Sequence, residues 1–143
     1  MGTRSRIGVM HGDVCKSVYC HWDGYLEHNG RILLDHYDSA KANRLVKFGD
    51  MSVLKPEIVI PEGVEHWFDA RAQDITVFYG RDRGEDGIDF QVDHTFKDFI
   101  ERCKDCDAAY FYLMKDDVWY TGTPDSNILV RLDEALAALP VEE

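Results

Sequence analysis

The chain has 143 residues, 45% apolar and 30% charged, which allows one domain with its own core and excludes disordered and fibrous classes. Its 27 acidic against 16 basic side chains give a net charge of −11, a balance that argues against direct nucleic-acid binding and favours basic partners or plain solubility. No apolar run approaches the ~20 residues of a membrane helix, no secretory h-region follows the first arginines, and Arg6 stands where a myristoylation signal after the Met-Gly start needs Ser or Thr.

In chain order, Arg4 to Met10 reads as a strand with Ser5, Ile7 and Val9 on one side. Gly12-Asp13 then supplies hairpin-turn chemistry. In the second strand Val14, Val18, Cys20 and Trp22 alternate with Cys15, Ser17, Tyr19 and His21. That phase sends Cys20 and Trp22 to the core and Tyr19 and His21 outward, with Gly24 as terminator. Leu33, Leu34 and Tyr37 recur at helical spacing. Asp38 or Ser39 caps a second helix whose Ala42, Leu45 and Val46 face inward and whose Lys41, Arg44 and Lys47 form a basic stripe, with Gly49 at its C-terminal cap.

Pro56 and Pro61 bracket a short edge strand, "EIVI", followed by a loop with an aromatic plug, "EGVEHWFDARAQ". Ile75 to Tyr79 reads as a strand, and Ile88, Phe90 and Val92 alternate with Asp89, Gln91 and Asp93 in another. Thr95 opens an amphipathic helix through Phe96, Phe99, Ile100 and Cys103. "AAYFYLM", a Lys-Asp-Asp turn and "VWYTG" make a second hairpin, and a last helix covers Asp133 to Leu139. Ile128 to Leu132 suits either its beginning or a strand. Nothing divides the chain, so residues 1–143 are expected to form a single globular domain. The expected fold class is α+β, with a mainly antiparallel sheet of about five to seven strands and about three or four helices packed mostly on one face.

Three stretches carry candidate chemistry. In "YCHWDGY", Tyr19, His21, Trp22 and Asp23 set aromatic rings beside polar groups, as a binding platform does. His21 and Asp23 are also two apart on one strand, which suits a base with an orienting acid. In "FYGRDRGEDG", Tyr79 precedes Arg81 and Arg83, whose planar forks suit phosphate or carboxylate, and Gly84 lets backbone N–H groups approach an anion. In "GTRS", Arg4 and Ser5 can join the same patch, and Arg4 with Arg6 is one of the few basic groupings in an acidic background. Of four cysteines only Cys103 and Cys106 have a tight spacing, and Cys103 lies on the apolar helix face, so reduced thiols are expected rather than zinc. No metal or cofactor is implied.

"GTRS", "YCHWDGY", "GRILLDHY", "GDMSVL" and "TVFYGRDRGED" together resemble a family of small uncharacterised proteins encoded by bacteriophages and prophages. The likeness spans about Gly2 to Glu85. It implies a context, that of a small acidic phage accessory protein acting on host or defence components; with the candidate residues above, the expectation is a non-enzymatic binding protein of the host cytoplasm, acting in counter-defence or host takeover. Such a protein sequesters a phosphorylated small molecule or nucleotide signal, or docks on a basic host or defence protein. The alternative is a His/Asp-based or metal-dependent phosphoester hydrolase using His21 and Asp23 with His28. An exposed edge strand leaves room for a homo-oligomer.

Overall fold

The computed structural model describes residues 3–126 and 128–139. The Met-Gly start and the glycine of "GTRS" lie outside the described residues. Strands β1 (Ser5–His11) and β2 (Val14–Cys20) form the first hairpin, whose two-residue turn opens on Gly12 at φ 62°. A π-helical turn, Leu26–Gly30, leads into α1 (Arg31–His36) and α2 (Ser39–Lys47). Asp38 caps α2 by accepting from the Lys41 N–H at 2.8 Å. Then come β3 (Met51–Val53), β4 (Val77–Phe78), α3 (Tyr79–Arg83) and β5 (Gln91–Asp93). The chain continues through α4 (Phe96–Asp105), the hairpin β6 (Tyr110–Lys115) and β7 (Val118–Gly122), β8 (Val130–Arg131) and α5 (Leu132–Ala137).

All eight strands join one sheet in the order β4-β3-β2-β1-β6-β7-β8, with β5 also on β2. The pairings β1–β6 and β2–β3 are parallel. The sheet is therefore mixed and has more strands than expected, which corrects the mainly antiparallel sheet of about five to seven. The physical reason is that α1–α2 and α4 are crossovers, not mere covers. Each carries the chain over a sheet face to re-enter in the same direction, as parallel strands require.

Five α-helices are present among the described residues and they pack on both faces, which corrects the three or four expected mostly on one face. Leu33, Leu45, Val46, Leu132 and Leu136 from α1, α2 and α5 pack on Ile7, Val9, Val18, Cys20, Tyr112 and Met114. On the opposite face Phe99, Ile100 and Cys103 of α4 pack on Cys15, Phe111 and Leu113. Adjacent residues of β6 alternate between these two clusters, so the central strands are buried on both sides. Burying a side chain the size of Phe99 or Leu45 contributes roughly 1.5–3 kcal/mol each.

Three local expectations change. Trp22 is 41% exposed, because β2 ends at Cys20 and the alternation stops with it. The core tryptophan is Trp119, whose indole N–H donates to the Tyr37 carbonyl at 2.8 Å. The strand expected at Ile75 to Tyr79 keeps only Val77 and Phe78, since Tyr79 turns into α3. In β5 the phase is inverted. Val92 is exposed and Asp93 is buried, because Arg102 of α4 meets the Asp93 carboxylate with two parallel bonds of 2.9 and 3.0 Å. No helix of the described residues is long and apolar enough to cross a membrane.

Candidate ligand-binding face

The α4 layer covers only part of its sheet face. By strand alternation Arg4, Tyr19 and His21 lie on the same sheet side as α4, and β3 pairs beside β2. Asp50 locks this corner together. Its carboxylate accepts from the Tyr19 N–H at 2.9 Å, and its carbonyl accepts from the Tyr79 N–H at 3.2 Å. His21 and Trp22 donate their backbone N–H groups to the Met51 and Ser52 carbonyls at 3.1 and 3.0 Å. Gly49, at φ 84°, lets the Ile88 backbone pass close to Asp50, since a Cβ there would collide with the Ile88 carbonyl oxygen.

Side chains continue the pattern. The Tyr19 hydroxyl shares a 2.7 Å hydrogen bond with His21 Nδ1, and the His21 ring stands edge-on to Trp22 with centroids 4.8 Å apart. Phe68, from the long loop, stacks on Tyr79 at 5.7 Å, and Arg71 and Arg83 each lie 4.8 Å from the Phe68 ring centre. Burial pushes the Tyr19 phenol up to about 12, against the pull of Arg4. The Tyr79 phenol is raised by burial and drawn back by Ser52. Both rings therefore present neutral O–H groups at neutral pH. His66 and Phe68 fall in the aromatic loop and Asp50 in "GDMSVL", but the part each plays comes from partners distant in sequence.

Of the residues expected to bind a ligand, Arg4, Tyr19, His21, Trp22, Tyr79 and Arg83 lie in this region with accessible surface. Asp23 is adjacent, at φ 58°, but His21 turns its Nδ1 to Tyr19 instead. Three others have structural roles. Ser5 is fully buried on the opposite sheet face, where its hydroxyl accepts from Asn29 at 3.2 Å. Gly84 forms the left-handed cap of α3 at φ 77°, and its N–H is spent on the Gly80 carbonyl at 2.9 Å. The expected "GRDRGEDG" loop thus begins as a helix.

Arg81 is the third. It donates to the Asp82 carboxylate at 2.9 and 3.2 Å, to the Thr76 carbonyl at 2.9 Å and to the Ile58 carbonyl, and it lies over the Phe78 ring. Asp82 also accepts from the Phe78 N–H at 2.8 Å and pairs with His66 Nε2 at 3.2 Å. Because His66 Nδ1 accepts from the Ala72 N–H at 3.0 Å, Nε2 carries a proton towards Asp82. This buried network pins the long loop to α3 and leaves no fork for a ligand.

Arg6 presents the reverse case. It is 4% exposed, and its Nε and Nη2 donate only to the hydroxyl and carbonyl of Ser17, each at 3.0 Å. No carboxylate of the described residues lies within 4.0 Å of it, whereas Arg81 and Arg102 each have one at 2.9 Å. Asp50 is near enough to feel its charge, but burial pushes that carboxyl above the usual carboxylate range.

A separate cleft of about 570 Å³ lies at the α1–α2 junction, walled by Leu34, Met114 and Trp119 and rimmed by Asp35, Asp38 and Asp117. The described residues contain no group of three or more His, Cys, Asp or Glu side chains able to hold a metal ion. No protein-family model matches the chain, and no curated protein and no solved structure matches it.

Proposed function

We propose that the chain is a phage-encoded, non-enzymatic binding protein acting in the host cytoplasm, in counter-defence or host takeover. It sequesters a phosphorylated small molecule such as a nucleotide signal. The observation that carries this reading is the run of Tyr19, His21, Trp22 and Tyr79 along one face with Arg4 and Arg83 at its margins. Exposed rings offer stacking to a planar base, and guanidinium groups offer charge-assisted hydrogen bonds to phosphate. A hydrolytic reading has less support, since His21 is tied to a phenol and not to a carboxylate.

Calorimetry with cyclic and linear nucleotides at low salt tests the proposal. The expected result is binding that weakens as salt rises and disappears in the double variant Arg4→Ala, Trp22→Ala. No heat across the panel would remove it. The acidic cleft favours a second reading, docking of a basic segment from a host protein. Affinity capture lost on Asp35→Lys with Asp117→Lys supports that one, and an empty capture at low salt counts against it.

A further inference from the structure

The cleft at the α1–α2 junction is one half of a longer groove. A second hollow of about 400 Å³ adjoins the one of about 570 Å³, and the two share Ser39, Met114 and Asp117. Together they cross the carboxyl ends of the parallel strands β1 and β6, between the start of α2 and the β6–β7 turn. The floor is apolar, formed by Leu34, Met114 and Trp119, and the Trp119 ring is held by the bond from its indole N–H to the Tyr37 carbonyl.

The walls carry five carboxylates, Asp35, Asp38, Asp116, Asp117 and Asp133. Asp133 meets the Arg131 guanidinium at 3.0 Å, whereas the other four have no cation of the described residues within 4.0 Å. The groove therefore holds an excess of negative charge over an apolar base.

Two of these carboxylates are placed against the local preference of the backbone. Lys115 pairs with Val118, so Asp116 and Asp117 are the two central residues of the hairpin turn, and their φ values are 51° and 63°. A turn with both central residues at positive φ favours Asn-Gly, because asparagine tolerates the left-handed region and glycine has no Cβ to strain it. The chain departs from that pair by two negative charges, and both line the groove.

We infer that the groove docks a basic segment of a partner protein in which an apolar side chain stands between arginines or lysines. This inference rests on the docking reading above and narrows it. The apolar side chain covers Met114 and Trp119. The flanking cations meet Asp116 and Asp117 at the hairpin turn and Asp35 and Asp38 at the helix corner. Charge steers and orients the segment, while the floor supplies affinity, because exposed ion pairs contribute little alone.

The test uses the whole chain at low salt and an acetylated, amidated peptide of one leucine flanked on each side by two arginines. The Trp119 indole N–H and Met114 methyl resonances are expected to shift saturably, with an affinity that falls as salt is added. Glutamates in place of the arginines should abolish the shifts, and glycine in place of the leucine should weaken binding several-fold. The double variant Asp116→Asn, Asp117→Gly is expected to bind about tenfold more weakly, the worth of two exposed charge contacts. Its thermal midpoint should rise, since the turn is relieved, so a failure to fold cannot mimic the loss.

No saturable shift would overturn the groove as a docking site. Heat of binding with both resonances unmoved would put the segment elsewhere on the acidic surface, which keeps the docking reading and removes this site. Undiminished affinity in the double variant would overturn the part given to the Asp116-Asp117 turn. Equal affinity for the glycine peptide would mean diffuse attraction and would overturn the apolar floor. Neither heat nor shift would remove the docking reading as well.

Discussion

Arg81 and Arg6 are both drawn into the protein, but only Arg81 has a carboxylate of the described residues within ion-pair range, the Asp50 carboxyl acting on Arg6 from further away. Around Arg81 the chain assembles Asp82, two backbone carbonyls and an aromatic face, and Asp82 is in turn saturated by His66 and the Phe78 N–H. Around Arg6 it places one serine. The closed network around Arg81 holds a loop in place. The arginine-rich connector that looks most like an anion loop in the sequence is the structural member of the pair.

The largest expected effect breaks the closed side. Asp82→Ala removes the acceptor of Arg81, of His66 and of the Phe78 N–H together, and should cost about 3–5 kcal/mol in denaturant unfolding. A change below 1 kcal/mol would mean that the network contributes little. Asp93→Asn is expected to cost less, about 1–2 kcal/mol, because the partner Arg102 is one-third exposed and solvent screens the pair.

Asp50→Asn sharpens the open side. Asp50 faces the Tyr19 N–H, Arg6 and Asp89, and burial dominates, so its folded-state pKa lies above the unfolded value. An acid shifted upward destabilises the fold once ionised. The penalty is absent below the ordinary carboxylate pKa of about 3.9 and grows as pH rises towards the folded-state value. The asparagine keeps an acceptor for Tyr19, so the variant should be slightly more stable than the parent at neutral pH, with the advantage vanishing in acid. A variant less stable than the parent at neutral pH would mean that burial does not dominate at Asp50.

The smallest effect concerns thiols. Burial pushes Cys15 up to about 12 and Cys20 to about 11, and raises Cys103 strongly, while Cys106 is half-exposed. A thiol reagent should therefore label one cysteine quickly in the native protein and the others only on unfolding. Rapid labelling of Cys103 would contradict the packing of α4.

What the sequence made legible follows from locality. The Gly12-Asp13 and Asp116-Asp117 turns, the Asp38 and Thr95 caps and the inward faces of α2 and α4 depend on residues within one turn of each other, and all are present. The parallel pairings were not legible, since they join residues far apart in the chain, Ser5 with Tyr110 and Cys20 with Met51. Alternation misled where another force set the phase: Asp93 goes inward because Arg102 waits for it, and Trp22 goes outward because the strand has ended. At the site, "YCHWDGY" and "FYGRDRG" were legible as separate candidate stretches, and Asp50 is what ties Tyr19 to Tyr79. The division of labour between Arg81 and Arg6 was not, because it depends on which guanidinium a carboxylate reaches.

Paired denaturant titrations of Arg81→Met and Arg6→Met, in buffer free of phosphate and other multivalent anions, test that division most directly. The expected result is a loss of several kcal/mol for Arg81→Met, which strands Asp82, and a change within about 1 kcal/mol of the parent for Arg6→Met, which removes an unpaired buried charge. Equal losses in the two variants would show that Arg6 is already compensated within the fold, and would contradict the account.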